Sequence, residues 1–385
     1  MASNEANHYV RSYLTREPII LGVLSGLAMV SFLLVGGLSH VYHAQQEALG
    51  NRWFNRGVAD LSVGRFDSAV REFRAALLYA RDDYDYQLNL AEALIGAKRI
   101  PEAYSYLLTL WEQQPENGLV NLELGRITAQ RGETEQALRY YHNAIYAAWT
   151  GDQEKERQNA RLELIEFLLR NNADAQAQSE LIALAANLPD DPLQRASIGS
   201  LFLRTQDYDH ALAEFRSSLR AAPHNAPALA GAGEAAFHLG RYSLAQHYLQ
   251  AVVSQNPGDT QSAQRLKTTE LVLRMDPFRR PISAAQRARI VLEAYDAAGR
   301  RIQSCTTPAS AKASPQQAGR EPGLRENWQS MKPEVTARAL RRDPDLVEDV
   351  MDLVFRIERQ AGAMCGPPTE TDTALLLIAK LHEAS

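Results

Sequence analysis

The sequence predicts an all-α protein: a solenoid of stacked helical hairpins, preceded by one transmembrane helix and followed by a small C-terminal helical segment. Three observations carry this. Apolar residues fall at intervals of three and four in paired blocks separated by short turns, which is the pattern of a helical hairpin. The pattern recurs with a period of 34 residues between positions 50 and 259, small and aromatic residues in register. Residues 18–38, PIILGVLSGLAMVSFLLVGGL, form a run of 21 residues without a charge.

The apolar run comes first in the chain. At about 1.5 Å rise per residue it can cross a hydrocarbon core of roughly 30 Å. Arg11 and Arg16 precede it, and Arg52 is the only Lys or Arg in the sixteen residues after it. The positive-inside rule therefore places residues 1–17 in the cytoplasm as a tail, and the rest of the chain outside. The run exceeds the ~7 to 15 residues of a secretory signal core, which favours an uncleaved anchor over a cleaved leader. Gly22 and Gly26 have the small-residue spacing by which membrane helices pair, so a second copy of the chain is one candidate partner of this helix.

Six hairpin units follow: 50–83, 84–117, 118–151, 158–191, 192–225 and 226–259, with a polar six-residue insertion, 152–157, before the fourth. Within them Gly57, Gly125, Gly199 and Gly233 allow close approach of the two helices. Ala69, Ala103, Ala137, Ala177, Ala211 and Ala245 do the same from the second helix, while Phe73, Tyr141, Phe215 and Leu249 fill the remaining space. Pro115, Pro189, Pro223 and Pro257 end second helices, since their rings do not fit a helix interior. The fourth unit departs from the pattern, with Ile165 and Asn172 at the two glycine positions. One hairpin cannot bury both of its faces, so stability comes from stacking on neighbours.

This order of small, aromatic and proline positions at a 34-residue period resembles the tetratricopeptide repeat over Asn51 to Asp259, more than half the chain. The resemblance implies a right-handed superhelix whose concave side is lined by the first helix of each unit and receives a protein or peptide partner. The positions it points to are Asn55 in the first unit, Asn89 and Glu92 in the second, and Glu123 and Arg126 in the third. Later units supply Glu166, Arg170, Arg204, Glu234 and His238. The basic and amide groups with which some relatives clamp a C-terminal carboxylate are missing, because the first unit has Phe54 and Val58 at those places.

Beyond the array, residues 260–276 read as a terminal cap. Ser283 then opens a basic amphipathic helix with Ile290, Val291, Ala294, Tyr295 and Ala298 on one side and Arg287 and Arg289 on another. Together these fill 260–304. Its basic character suits either an anionic lipid surface or docking on the acidic array. Residues 305–323, rich in Pro, Ala, Ser and Gln, read as a flexible linker. In 324–385, Asp343 and Pro344 start a helix with Leu346, Val350, Val354 and Ile357 as its buried stripe, and a last helix runs from Thr371 to Ala384. Cys305 and Cys365 are the two cysteines, open to one disulfide or to two buried thiols.

A net charge of −5 argues against a general nucleic-acid binder. No glycine-rich phosphate loop, metal-binding histidine pair or nucleophile elbow is present, so the reading is a non-enzymatic scaffold with no cofactor. Membrane-anchored proteins of similar layout serve assembly of envelope proteins, which places this chain at a bacterial inner membrane with its array in the periplasm. The alternative is an accessory role in polysaccharide export or cytochrome assembly.

Overall fold

The structure, a computed structural model, describes residues 3–304, 321–365 and 367–383. Among them the only pairing outside helices is an isolated parallel bridge between Asn117 and Ala148. The chain divides into two compact units, residues 1–167 and 168–385.

The first unit opens with α1, Ser3–Ser62, a single helix of 60 residues. The stretch 3–17 read as a tail is therefore helical, and the span does not end before the array. Residues 39–49 continue as the same helix, so the first helix of the first hairpin is the end of the apolar one. Leu21–Ser62 is the one helix among the described residues long and apolar enough to cross a membrane. The apolar side chains of residues 21–38 are exposed, Phe32 being 79% so. Beyond the helix's own adjacent backbone, nothing among the described residues lies within 4 Å of a Cβ built at Gly22 or Gly26.

Then come α2 (Phe66–Leu77), α3 (Tyr84–Gly96), α4 (Ile100–Gln113), α5 (Gly118–Gln130) and α6 (Thr134–Tyr146). Each of these helices packs on the one before it. α7 (Gln153–Arg170) reaches the end of this unit and enters the next. The insertion at 152–157 adds to the N-terminus of α7, with Asp152 as its cap. Before it, Trp149 folds back over Gly118, and its indole nitrogen donates to the Ala144 carbonyl at 2.8 Å.

In the second unit α8 (Asp174–Ala185), α9 (Pro192–Arg204), α10 (Tyr208–Ala221), α11 (Ala226–His238), α12 (Tyr242–Gln255) and α13 (Thr260–Met275) again pack in succession. The 34-residue period is visible in the caps. Asp83 and Asn117 of the first unit, and Asp191, Asn225 and Asp259 of the second, each accept hydrogen bonds from backbone amides at the start of a first helix. The turn inside each hairpin needs one residue with positive φ. Gly64, Gly132 and Gly240 supply it freely, whereas Lys98, Asn172 and Gln206 adopt φ of 60°, 56° and 59° with side chains attached.

The hairpin cores follow from size. A Cβ on Gly57 would sit 2.6 Å from the ring of Phe73, and one on Gly199 would sit 2.8 Å from the ring of Phe215. Both rings are fully buried, so these glycines are close-approach positions. Phe54, on α1, stacks on Tyr86 at 4.7 Å and belongs to this core.

After the array come α14 (Ala284–Ser304), α15 (Glu321–Met331), α16 (Ala337–Arg342), α17 (Pro344–Met364) and α18 (Glu370–Glu383). They form one hydrophobic core with the end of the array, from Tyr242 and Val272 to Ile378. Ile290, Val291, Ala294, Tyr295 and Ala298 are buried, so the apolar side of the basic helix faces protein and is not available to lipid. Trp328 pins α15 to α14: its ring stacks on Tyr295 at 5.4 Å, and its indole nitrogen donates to the Tyr295 carbonyl at 3.1 Å. Most of the expected linker, with Cys305, lies outside the described residues. Its last part does not hold, because the chain is helical from Glu321. Cys365 caps the C-terminus of α17.

Candidate functional site

The first-helix positions of the first unit converge on a group of four charged side chains. Glu92 stands on α3, Glu123 and Arg126 on α5, and Glu163 on α7. Arg126 donates from Nε to Glu163 at 2.8 Å, and its terminal nitrogens reach Glu163 and Glu123. Hydrogen bonding to Glu163 raises the Arg126 pKa, which keeps it charged. Burial pushes the Glu123 carboxyl above the usual range while Arg126 pulls it back. Glu92 is raised by burial first and by Glu123 second. Arg126 thus bridges two carboxylates, Glu123 and Glu163, while Glu92 stands beside Glu123 with no ion pair among the described residues.

The spacing explains the geometry. Glu92 to Glu123 is 31 residues, one repeat less one helical turn, so a late position on one first helix meets an early position on the next. Arg126 and Glu163 stand in the same relation once the six inserted residues are counted. Glu234 and Arg265 repeat it in the second unit, where Arg265 of α13 bonds Glu234 of α11 at 3.2 Å. There Arg265 also donates to Nε2 of His238 at 3.1 Å and lies 5.3 Å over the Phe237 ring, while Tyr208 stacks on His238 at 4.4 Å. Burial and Arg265 lower the His238 pKa, so the imidazole is held neutral as an acceptor.

Asn55 is exposed on α1, and Asn89 turns its amide back to the Asp85 carbonyl at 2.9 Å. Glu166 is half-buried on α7, and Arg170 and Arg204 are exposed in the last turns of α7 and α9. Reasoning from the sequence missed Glu163, Arg265 and Tyr208. The register that selects Glu123 in α5 selects Glu163 once carried across the insertion, and Arg265 once carried past the sixth unit. Tyr208 follows only from the fold, because it stands on a second helix.

Residues 60–127 and 202–269 match the tetratricopeptide repeat family. These two stretches of the array carry tetratricopeptide repeats. Among solved structures the chain is similar to YrrB, described as a tetratricopeptide protein with an unusual peptide-binding site, at 16% identity and a TM-score of 0.41, over 51% of this chain and 97% of that one. It is similar to pilF of Pseudomonas aeruginosa at 16% identity and a TM-score of 0.41, over 58% and 98%. A tetratricopeptide repeat-containing protein of Cytophaga hutchinsonii gives 13% identity and a TM-score of 0.46, over 62% and 94%. No curated protein matches the chain.

A tetratricopeptide array is a protein-interaction scaffold. Carboxylates that are half-buried and short of cations hold their charge at a cost, which an incoming ammonium or guanidinium relieves. The groups offer no nucleophile paired with a base, and their chemistry is electrostatic.

Proposed function

We propose that this chain is a membrane-anchored docking scaffold whose first-helix face in the first unit holds an extended segment of another protein through that segment's basic side chains. The observation that carries the reading is the ladder of Glu92, Glu123, Arg126 and Glu163, in which one guanidinium bridges Glu123 and Glu163 and the carboxyl of Glu92, raised by burial and by Glu123, has no cation paired with it among the described residues. Lysine or arginine in an extended peptide spaced to meet successive first helices completes the ladder.

The anchor supports the same reading. α1 joins the apolar span to the first hairpin without a break, and residues 39–49 raise that hairpin by roughly 16 Å along the helix axis. A partner held there stays close to the membrane surface. With Arg11 and Arg16 ahead of the span, the array lies on the non-cytoplasmic side of a bacterial inner membrane, where assembly or quality control of envelope proteins requires such a platform. Pairing of two spans through Gly22 and Gly26 and a bond between Cys305 and Cys365 belong to the same proposal.

The test uses the full chain in lipid nanodiscs and two fluorescent peptides that differ only in carrying Lys or Glu at alternate positions. Binding of the Lys peptide that weakens with salt and with Glu92→Gln plus Glu123→Gln supports the reading. Equal binding of both peptides, or binding indifferent to the two substitutions, overturns it.

A further inference from the structure

The C-terminal helix α18 is a strap across the end of the array. Glu370 at its start pairs with Lys267 of α13, and His382 near its end lies 3.4 Å from Asp276 just after α13. Glu383 pairs with Arg359 of α17. Leu375 and Ile378 are fully buried in the shared core, and Leu381 covers Gly240, where a Cβ would come within 2.8 Å of it. Strapped in this way, α18 shields the apolar side of the last repeat helices, which a solenoid otherwise leaves open.

Under this strap lies a carboxyl group with nothing to satisfy it. Glu358 of α17 is 1% exposed, and neither of its carboxyl oxygens has a hydrogen-bond partner among the described residues. Two charged groups face it: Arg301 from α14 and Asp372 from α18, themselves 3.4 Å apart. Asp372 is 4% exposed and accepts a hydrogen bond from the Thr369 amide at 2.8 Å, so it has the donors that stabilise a charge. One guanidinium cannot compensate two buried carboxylates, and Glu358 is the one without donors.

We propose that Glu358 is the proton-sensing element of a latch: protonated, it lets α18 close over the end of the array, and ionised, it loosens that helix. The proton comes from solvent and no other group is consumed. Burial and then Asp372 push the Glu358 carboxyl up from 4.5 to about 7, with Arg301 opposing. Because the folded value is raised, the stabilisation of the closed latch is fully present below pH 4.5 and is lost as the pH rises through about 7. The latch therefore fastens in acid and loosens on the alkaline side of neutrality.

The test is hydrogen exchange of the α18 amides in the full chain in nanodiscs, corrected for intrinsic rates, from pH 5 to 8. For the native chain the opening equilibrium rises by up to about 70-fold across this range, while Glu358→Gln and Glu358→Met stay closed throughout. His382→Gln separates the other ionisable group that ties α18, and the response survives in it. A native profile independent of pH, a response that persists in Glu358→Gln or Glu358→Met, or one lost only in His382→Gln overturns the proposal. Because the readout needs no ligand, it stands or falls apart from the peptide-binding test.

Discussion

Gly199 and Phe215 offer the sharpest check on the packing that builds the array. A methyl group added at Gly199 would lie 2.8, 2.9 and 3.0 Å from three carbons of the Phe215 ring, where ordinary carbon contacts are about 3.5 to 4.0 Å. The ring cannot retreat, because it is fully buried and Gly231 closes its other side. Overpacking of this kind costs about 1 to 3 kcal/mol, against about 1 kcal/mol gained from alanine's helix propensity. Gly199→Ala is therefore destabilising or near neutral. Phe215→Leu alone leaves a cavity and costs about 1 to 2 kcal/mol. Together they reproduce the pair present in the second repeat, Ala91 with Leu107, both fully buried. The double variant is therefore more stable than the sum of the single effects by about 1 to 3 kcal/mol, a coupling measurable by urea unfolding followed by circular dichroism. Additivity within about 0.5 kcal/mol would refute the claim that the ring and the glycine are matched.

Three further outcomes follow from other contacts. Glu92→Gln removes a half-buried carboxylate that faces the buried carboxylate of Glu123 and raises stability near neutral pH by roughly 0.5 kcal/mol. Both carboxyls have raised values, so the native chain recovers that difference as the pH falls, and the variant's advantage in urea unfolding vanishes toward pH 4. Lys98→Gly relieves a left-handed conformation at φ 60°; less glycine's entropic cost, it stabilises by up to about 1 kcal/mol, visible as a higher thermal midpoint. Trp328→Ala empties the contact against Tyr295 and Gly299 and costs about 3 to 5 kcal/mol in the C-terminal core, read as faster proteolysis of α15 to α18 than of the array.

Much of this architecture is legible in the letters because a repeat states each rule several times. Gly57, Gly125, Gly199 and Gly233 each lie against the large residue sixteen positions later, and the six hairpin alanines are fully buried. Legibility fails where a local signal is overruled or spread across distant segments. Nothing in SHVYHAQQEAL breaks a helix, yet its change in polarity suggests a boundary that the continuous α1 does not have. The acidic and basic residues of 152–157 look like a loop, but Asp152 caps them into α7. Most of the charged ladders was readable, since Glu92, Glu123, Arg126, Glu234 and His238 occupy first-helix positions. Arg265 was hidden by a repeat count that stopped at Asp259. Glu358 was hidden more deeply: it reads as one acid in a helix with polar turns, and only the packing of α14 and α18 makes it a buried charge.

The most direct measurement of the central claim is photocrosslinking in intact cells with a benzophenone amino acid at Asn89, on the first-helix face, and at Thr109, exposed on α4. The account predicts a protein adduct at Asn89 that Glu92→Gln with Glu123→Gln diminishes, and none at Thr109. Adducts of equal yield at both positions, or at Thr109 alone, would contradict it.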